Sequence, residues 1–445
     1  MLYLTLNNLP LKTCETNEFY VSGSINLRLT DQLFHTFRQI YFRMKLIIFL
    51  GIWLILSTPG FSQAWEKSLD SLFLHYYPSD EPGAAISILL NGKAVFQRGF
   101  GLAEIGNKLP ISTATVFNIG SLTKQFTAYC ILKLASEKRL SLNDNLLKFF
   151  PQFNRTAGSI ITVRELLTHS SGILDHYDYA DTRNLIHAQD KDVLKAIENI
   201  DSTYFEPGSH YRYSNTAYCL LGLIIEKVSG LTYANYLQEN IFQPLGMNHS
   251  EVWSSRPNAL KRAMGYDTVG RSKAFSTLDA DQSIFFSTEA DGGICTSVED
   301  YLKWIKALQS GEILRKDLTE QARSPQFTID AAQNLSYGFG WFINSQEKDK
   351  AVYHTGSNGG FRAISFTIPS RADAIVLFSN RDDIDLEKLL IEVLNILHIN
   401  DKYFTKINAL VSFNSCWPNF APCKKTSLYS TSYIKNLNVS DMALN

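Results

Sequence analysis

The alternation of hydrophobic and polar positions changes period along the chain. Between Gly83 and Gly101, two apolar runs rich in β-branched residues flank Asn91-Gly92. Asn-Gly supplies the two positive-φ residues of a type I′ turn, so this stretch predicts a β-hairpin. From Ser121 to about Leu134 the apolar residues recur at every fourth position, which predicts a helix.

The middle of the chain, about residues 141 to 300, is dominated by helical patterns and loops. Thr162 and Glu165 have the spacing of a capping box at the start of one helical segment. A later apolar segment ends at Gly230 and an amphipathic one ends at Gly311. Glycine directly after a helical pattern is typical of a C-cap.

Short β-prone runs return after the helical middle and are separated by Gly, Pro, Asn and Arg. These runs are YGFGWFI, AVYHTG, FRAISFTIP and ADAIVLFSN, and a last helical pattern, LEKLLIEVLNILHI, follows them. Since strands lie at both ends of the domain and helices fill the middle, the order predicts an α+β fold. We expect one antiparallel sheet built from both ends of the chain, with a mainly helical region inserted between them.

The N-terminal part has the pattern of an export signal. Lys45 precedes an apolar run that ends at Leu56, and small residues follow at Ser62 and Ala64. Such a run suits the core of a signal peptide better than a membrane span. We therefore expect translation to begin at Met44 and the mature protein to be exported, either periplasmic or secreted.

These features predict three parts of the chain. Residues 1–64 are an upstream segment with a signal peptide, residues 65–398 form the folded domain, and residues 399–445 are a polar C-terminal tail. The alternative for the first part is an uncleaved anchor, helped by the basic residues Arg38 and Arg43, which would hold the protein on a membrane.

Composition and charge are those of an ordinary globular protein and give no sign of a nucleic-acid partner. The chain has 445 residues, of which 45% are hydrophobic and 19% charged, an ordinary globular balance. The formal net charge is −1, so no basic excess favours a nucleic-acid partner.

The cysteines predict no disulfide framework in the folded domain. Cys130, Cys219 and Cys295 stand singly in apolar or turn contexts, typical of small buried side chains. Cys416 and Cys423 flank WPNFAP, and we consider a bridge that closes this loop as an alternative to two free thiols.

The sequence predicts no metal site and no cofactor. No CxxC pair or His/Cys cluster has the spacing of a zinc site. A group of His169, Asp175 and His176 is the weaker metal alternative. The DGG sequence that begins at Asp291 is interpreted as a tight turn before a helix and not as a phosphate loop, and Asn358-Gly359-Gly360 is no P-loop because no Lys-Ser/Thr follows it.

A serine and a lysine lie three residues apart at the predicted start of the first helix. In FNIGSLTKQF, Ser121 and Lys124 would share one helix face. A lysine amine that burial keeps neutral can take the proton of a serine hydroxyl, and a helix N-terminus favours an oxyanion. The same pattern is also typical of a capped helix with a solvated lysine, so it needs support from elsewhere.

Two later motifs supply that support. YRYSNTAY places Tyr213 and Asn215 between a turn and an apolar helix. A tyrosine hydroxyl can carry a proton, and an asparagine amide can hold a carbonyl group. HTGSNGGF, which begins at His354, follows a β-prone run, and its small residues would let a substrate backbone approach the strand edge.

Taken in this order, the three motifs resemble the penicillin-recognising serine hydrolases. The most similar branch contains class C β-lactamases, D-alanyl-D-alanine carboxypeptidases and related esterases. Further shared phrases are VRELLTHSSGI, DGGICTSVEDYLKW and YGFGW, and the resemblance covers about residues 70 to 398. It implies a β-lactamase/transpeptidase-like fold with a sheet of about five strands flanked by helices.

The resemblance also implies a role for each matched residue. Ser121 would be the acylated nucleophile and Lys124 its general base. Tyr213 would complete the proton path and protonate the leaving group, and Asn215 would position the substrate.

The third motif would line the substrate. The resemblance assigns this strand to His354, Thr355 and Gly356, and an oxyanion hole to the backbone N–H groups of Ser121 and Ser357. The family's β-lactamases and penicillin-binding proteins usually have lysine where this chain has histidine. A neutral histidine offers only a hydrogen bond near pH 7, which argues against strong β-lactam turnover.

Several alternatives stay open from the sequence. Arg362 would restore the missing charge if the strand directs it toward the substrate. The substrate is a small molecule or a peptide: an ester, a D-amino-acid peptide or a β-lactam. The alternative to a hydrolase is a catalytically silent binding protein that keeps the fold.

Overall fold

The computed structural model describes most of the predicted domain and little of either end. It describes residues 18–21, 25–28, 41, 43–44, 60–181, 187–253, 262–269, 274–279, 284–311, 315–346 and 349–399. The apolar core of the predicted signal peptide and the tail with Cys416 and Cys423 lie outside these residues.

The chain divides into two compact units, Met1–Lys67 and Ser68–Asn445. In the first unit, β1 (Glu18–Val21) pairs antiparallel with β2 (Ile25–Arg28). The second unit carries every element described below, apart from the start of the first helix.

A single antiparallel sheet of eight strands organises the second unit. Its strands are β3 (Ala84–Leu90), β4 (Lys93–Phe100), β12 (Phe327–Asp330), β13 (Leu335–Tyr337), β14 (Phe342–Gln346), β15 (Asp349–Asn358), β16 (Phe361–Ile368) and β17 (Asp373–Ser379). Their order is β12-β13-β14-β15-β16-β17-β3-β4. Both ends of the domain therefore meet where β17 pairs with β3. The predicted α+β class and the sheet built from both chain ends are confirmed, with eight strands in place of about five.

The hairpin predicted around Asn-Gly is the β3–β4 pair. Asn91 has φ of 50° and Gly92 has φ of 75°, as a type I′ turn requires. A β-bulge between Ile88 and Leu89 shifts the register of this pair.

Shorter strands form three small sheets outside the large one. They are β5 (Leu102–Glu104) with β6 (Leu109–Pro110), β9 (Tyr266–Val269) with β10 (Ala274–Thr277), and β7 (Phe117–Asn118), β11 (Ile294–Thr296) and β8 (Glu251–Val252) in the order β7-β11-β8.

Eleven α-helices lie within the described residues. They are α1 (Gly60–Tyr76), α2 (Thr123–Ser136), α3 (Leu146–Phe149), α4 (Arg155–Ile160), α5 (Val163–Leu167), α6 (Asp190–Ile197), α7 (Asn215–Ser229), α8 (Tyr233–Leu237), α9 (Val298–Ser310), α10 (Lys316–Ala322) and α11 (Leu386–Ile396). The inserted region is mainly helical, as the pattern predicts.

The predicted helix ends are set by the residues that the pattern singled out. Thr162 and Glu165 form a reciprocal capping box at the start of α5. Gly230 ends α7 and Gly311 ends α9, both in the left-handed conformation that glycine adopts without strain.

Within the described part of the chain no single helix is long and apolar enough to cross a membrane. One bent pair, α7 with Tyr233–Phe242, meets that length and composition together at a bend of 76°.

Helix α2 lies in the middle of the hydrophobic core. Phe126 stacks on Trp304 of α9 with ring centroids 4.2 Å apart, and the Trp304 indole N–H donates to Gln125 Oε1. The thiols of Cys130, Cys219 and Cys295 are free and buried, so the prediction of small buried side chains is confirmed. Because α2 is buried on almost every side, the polar side chains at its start are buried too.

Candidate active site

Ser121 lies in a short 3-10 turn that continues directly into the predicted helix. Residues Gly120–Leu122 form a short 3-10 turn, and α2 begins at Thr123. Gly120 has φ of +50°, and a Cβ at this position would come within 2.6 Å of the Ser357 backbone nitrogen. Glycine is therefore required here, and its small size brings the backbones around Ser121 and Ser357 into contact.

Lys124 Nζ is held by three oxygen atoms at the centre of the site. It lies 3.1 Å from Ser121 Oγ, 2.8 Å from Asn215 Oδ1 and 2.8 Å from the Asp291 carbonyl oxygen. The Lys124 side chain is fully buried, whereas Ser121 keeps 6% of its surface exposed. The serine hydroxyl is therefore the part of this pair that a substrate reaches.

Burial changes the proton affinity of the lysine. Removal from water lowers the pKa of Lys124 from 10.5 to about 8, and the Asp291 carboxylate and Cys219 oppose that shift. A lysine with this pKa is partly neutral near pH 7 to 8. The amine can therefore accept a proton from the serine hydroxyl that it touches.

Tyr213 meets Lys124 through its ring. Lys124 Nζ lies 4.9 Å from the centre of the Tyr213 ring, while its hydrogen bonds go to the three oxygen atoms named above. The Tyr213 ring also lies 4.3 Å from the ring of His169 and 6.0 Å from that of His354. The structure thus brings Tyr213 to the lysine, and the contact is with the aromatic face.

Asn215 links the lysine to the inserted helical region. It is the first residue of α7, directly after the N-cap Ser214, whose hydroxyl accepts from Ala217 N–H. Its Oδ1 accepts from Lys124, and its Nδ2 donates to Tyr177 Oη at 3.1 Å. These two bonds fix which end of the amide faces the lysine.

The third motif occupies the end of β15 that extends beyond its neighbour. Strand β14 pairs with β15 only as far as Tyr353, whereas β16 continues to pair along residues 352–358. The edge from His354 to Ser357 is thus uncovered by β14. A Cβ on Gly356 would come within 2.0 Å of the Ile119 carbonyl oxygen, so the strand packs directly on the turn that carries Ser121.

A cleft of about 350 Å³ runs along this strand. Its lining includes Tyr213 and the stretch His354–Ser357, together with Arg362 and Asp382. The Arg362 guanidinium donates to the carbonyl oxygens of Gly359 and Phe361 and pairs with the Asp382 carboxylate at 3.4 Å. Arg362 does reach the cleft, but it already lies against the carboxyl group of Asp382, whose pKa burial raises to about 7.

His354 is part of a buried hydrogen-bond chain. Ser214 N–H donates to His169 Nδ1 at 3.1 Å, which leaves the His169 proton on Nε2, 3.2 Å from Tyr337 Oη. The Tyr337 hydroxyl then donates to His354 Nε2 at 3.0 Å, and His354 Nδ1–H donates to the Thr355 carbonyl at 2.6 Å. We call His169, Tyr337 and His354 the His–Tyr–His chain.

In the His–Tyr–His chain, each ring nitrogen and the Tyr337 hydroxyl have a hydrogen-bond partner, and both histidines are neutral. Burial lowers the pKa of His354 to about 3 and holds that of His169 well below 6.5, with the nearby Lys124 acting in the same direction. A neutral histidine at the start of the third motif cannot supply the permanent charge that lysine would.

Several residues of the site escaped prediction. Asp190, Cys219 and Asp291 each place one donor atom within 4.8 Å of the others behind Lys124, the kind of group that can hold a metal ion. The metal alternative of His169, Asp175 and His176 does not form such a group within the described part of the chain. The sequence indicates only a turn at Asp291 and only a strand at Tyr337, because no local spacing marks either residue as part of a site.

Comparisons with known proteins show the family to which the chain belongs. The model of a protein family described as "Beta-lactamase" matches residues 74–394. "Protein flp" of Staphylococcus aureus (strain MRSA252) is 30% identical over 352 residues, which cover 78% of this chain and 69% of that protein. "Penicillin-binding protein 4*" of Bacillus subtilis (strain 168) is 29% identical and is covered, like this chain, over 72% of its length.

The chain is also similar to a solved structure of a penicillin-binding protein homologue. The octameric penicillin-binding protein homologue from Pyrococcus abyssi superposes with a TM-score of 0.65 at 29% sequence identity. The match covers 75% of this chain and 77% of that one.

Proposed function

The chain belongs to the β-lactamase family, whose members are hydrolases that in general acylate a serine, and from this premise we propose that it is a serine hydrolase acting through an acyl-enzyme on Ser121. The observation that carries the proposal is the contact of Ser121 Oγ with a buried amine, Lys124 Nζ, at 3.1 Å. Two groups at this distance, one nucleophile and one base, are the minimum that acyl transfer requires.

The first half-reaction begins with proton transfer inside this pair. Lys124 accepts the Ser121 hydroxyl proton as Oγ bonds to the carbonyl carbon of an ester or amide. The oxyanion that results faces the backbone N–H groups of Ser121 and Ser357, whose backbones are in contact through Gly120. The bond to the leaving group then breaks, and the alkoxide or amine takes a proton from Lys124 by way of Tyr213.

The second half-reaction uses the same groups in reverse. Water gives a proton to the neutral base and attacks the acyl carbon, and the Ser121 oxygen leaves and regains its proton. Asn215 holds Lys124 in place through Oδ1 and offers the substrate the remaining N–H of its amide. Thr355 and Gly356 lie along the uncovered strand edge and position the acyl chain.

The neutral third motif favours particular substrates. His354 carries no charge and Arg362 is paired with Asp382, so the described residues give the cleft no unpaired cation to hold a substrate carboxylate. We therefore propose short esters and amides without a carboxylate beside the scissile bond, including amides of D-amino acids, as substrates ahead of β-lactams and of peptides with a free C-terminal carboxylate. Consistent with the N-terminal pattern, we also propose that the enzyme is exported, and N-terminal sequencing of the mature protein tests this directly.

Active-site labelling tests the proposal. Wild-type protein and Ser121→Ala are incubated with a fluorescent fluorophosphonate and with a labelled penicillin, and the bound label is measured on gels. We expect label on the wild type alone, with fluorophosphonate more efficient than penicillin. Equal labelling of both proteins, or no labelling of either at any pH, would favour the catalytically silent binding protein instead.

A further inference from the structure

His169 lies beside the tyrosine of the candidate active site, and none of the three motifs contains it. We propose that His169 is a positioning residue for Tyr213: its carbonyl oxygen and its ring nitrogen hold the backbone on either side of the tyrosine, and its ring sets the tilt of the tyrosine ring. This inference rests on the serine hydrolase function proposed above, in which Tyr213 passes a proton to the leaving group.

Two backbone N–H groups, one on each side of Tyr213, donate to His169. Arg212 N–H donates to the His169 carbonyl oxygen at 2.8 Å, and Ser214 N–H donates to His169 Nδ1 at 3.1 Å. The second bond is buried and joins residues that lie 45 positions apart in the chain. Because one residue holds both neighbours of Tyr213, it also fixes the direction in which the tyrosine side chain leaves the backbone.

The ring of His169 packs on the ring of Tyr213. The ring centres are 4.3 Å apart and the planes are inclined by 34°. The same tyrosine ring lies 4.9 Å from Lys124 Nζ. A tyrosine side chain turns about only two bonds, so a fixed backbone and a packed ring restrict where its hydroxyl lies relative to the lysine.

The backbone of His169 has a conformation that allows both contacts. Its φ is +57°, in the left-handed region that residues other than glycine seldom adopt. The side chain is fully buried, and its Nε2–H donates to the Tyr337 hydroxyl at 3.2 Å. Such strain persists only where the surrounding structure maintains it, and it is concentrated at functional sites.

The loop that carries the tyrosine is also fastened to the residues that follow His169. Gly208 N–H donates to the Ser170 carbonyl at 2.8 Å, and Tyr204 N–H donates to the Gly172 carbonyl at 2.7 Å. These two bonds involve only backbone atoms. Replacing the His169 side chain therefore leaves the loop attached and removes only the contacts next to the tyrosine.

The proposed role concerns the departure of the leaving group. An alkoxide leaves as an alcohol only when it receives a proton, which Tyr213 passes on from Lys124, whereas a nitrophenolate leaves as the anion. Proton transfer of this kind contributes on the order of 100-fold to 10,000-fold, and a displacement of about 1 Å can cost about 100-fold. A displaced Tyr213 hydroxyl should therefore slow the reaction of an alkyl ester much more than that of a nitrophenyl ester.

The test is the ratio of kcat/KM for two esters of the same short acyl group, a nitrophenyl ester and an ethyl ester. Both are measured on the full chain, and kcat/KM reports the steps up to acylation. The variants are His169→Gln and His169→Asn. Glutamine reaches toward Tyr337 but loses the acceptor for Ser214 N–H. Asparagine places Oδ1 near the position of Nδ1 and tolerates a positive φ.

In His169→Gln we expect kcat/KM to fall about 100-fold for the ethyl ester and less than about fivefold for the nitrophenyl ester. In His169→Asn the ratio should stay within about threefold of the wild-type ratio, because the bond to Ser214 is restored. Tyr213→Phe should shift the ratio at least as far as His169→Gln. Adding His169→Gln to Tyr213→Phe should not shift it further, since both changes act on one step.

The matched control is His176→Gln. His176 is also fully buried and bonds to the first turn of α7, with Nδ1 3.0 Å from Thr216 Oγ1, but its ring packs on Tyr177 and Phe285. The ratio of the two esters in this variant should equal that of the wild type. If His169→Gln does not fold, His169→Gly, which adopts the positive φ without strain, gives the same readout.

The possible results separate this inference from the function on which it rests. If His169→Gln slows both esters by the same factor, His169 has only a structural role, and the hydrolase stays intact. An equal shift of the ratio in His176→Gln, or a further shift in the double variant, would also overturn the role of His169. Hydrolysis of both esters by Ser121→Ala at the wild-type rate would overturn the hydrolase itself.

Discussion

The His–Tyr–His chain predicts that one hydroxyl group stabilises the domain more than an equally buried hydroxyl elsewhere. Tyr337→Phe removes only the oxygen that joins His169 to His354. His169 Nε2–H then loses its acceptor and His354 Nε2 its donor, at sites where these two side chains are at most 1% exposed. Water cannot replace the lost partner at such depth, so both atoms stay unsatisfied.

The cost follows from the two unsatisfied atoms. Each costs about 1–3 kcal/mol, so Tyr337→Phe should lower the free energy of unfolding by about 2–6 kcal/mol. For a domain of this size that corresponds to a fall in Tm of roughly 3–9 °C. The matched control is Tyr301→Phe, another fully buried tyrosine. Its hydroxyl bonds to Gln125 Oε1, but that oxygen also accepts from the Trp304 indole, so it keeps a partner.

Urea denaturation and thermal unfolding of the two variants measure the difference. We expect Tyr301→Phe to cost about 1 kcal/mol, clearly less than Tyr337→Phe. Equal losses of stability in the two variants, or a Tyr337→Phe protein as stable as the wild type, would show that the Tyr337 hydroxyl does not join the two histidines as described.

Two further predictions follow from the buried charges of the site. Lys124→Met keeps the length of the side chain but removes the base, so the rate of Ser121 labelling should fall by at least about 100-fold while circular dichroism stays that of the wild type; a labelling rate within a factor of two of the wild type would contradict the role of Lys124. Below about pH 6.5 the contribution of His354 and His176 to the free energy of unfolding should fall, because burial lowers the folded-state pKa of His354 to about 3 and that of His176 to about 4, and each must take up a proton on unfolding. This stability is present above the unfolded pKa and is lost as the pH falls toward the folded one, by up to about 1.4 kcal/mol per pH unit and group. Three aspartates act in the opposite sense, because burial raises the pKa of Asp175 to about 6 and that of Asp382 to about 7, and holds that of Asp190 well above 3.8. Unfolding curves of the wild type and of His176→Gln at pH 7, 6 and 5 isolate the histidine contribution: the variant should lose less stability than the wild type as the pH falls, and an equal loss in both would contradict it.

The sequence predicts the parts of the fold that depend on local patterns. The Asn91-Gly92 turn, the capping box of Thr162 and the C-cap at Gly230 all rest on contacts within a few residues. The strand count was harder to predict. Strand β12 has only four residues, most of them half-buried, and the break between β13 and β14 lies inside what looks like one apolar run.

The candidate site likewise has a part that the sequence predicts and a part that depends on the folded chain. Ser121 and Lys124 are neighbours in the chain, so their proximity follows from helix geometry. Asp291 lies 167 residues from Lys124, and Tyr337 lies 168 residues from His169, so only the folded chain brings each pair together. Whether the histidine of the third motif is charged also depends on burial, which the motif itself does not contain.

The most direct measurement of the central claim is a pre-steady-state burst with a nitrophenyl ester, followed by peptide mapping of the trapped protein. An acyl-enzyme on Ser121 predicts a burst of nitrophenol close to one equivalent per protein chain and one acylated peptide, the one that contains Ser121. Ser121→Ala should give neither. A burst that survives in Ser121→Ala, or an acyl group mapped to another residue, would contradict the account.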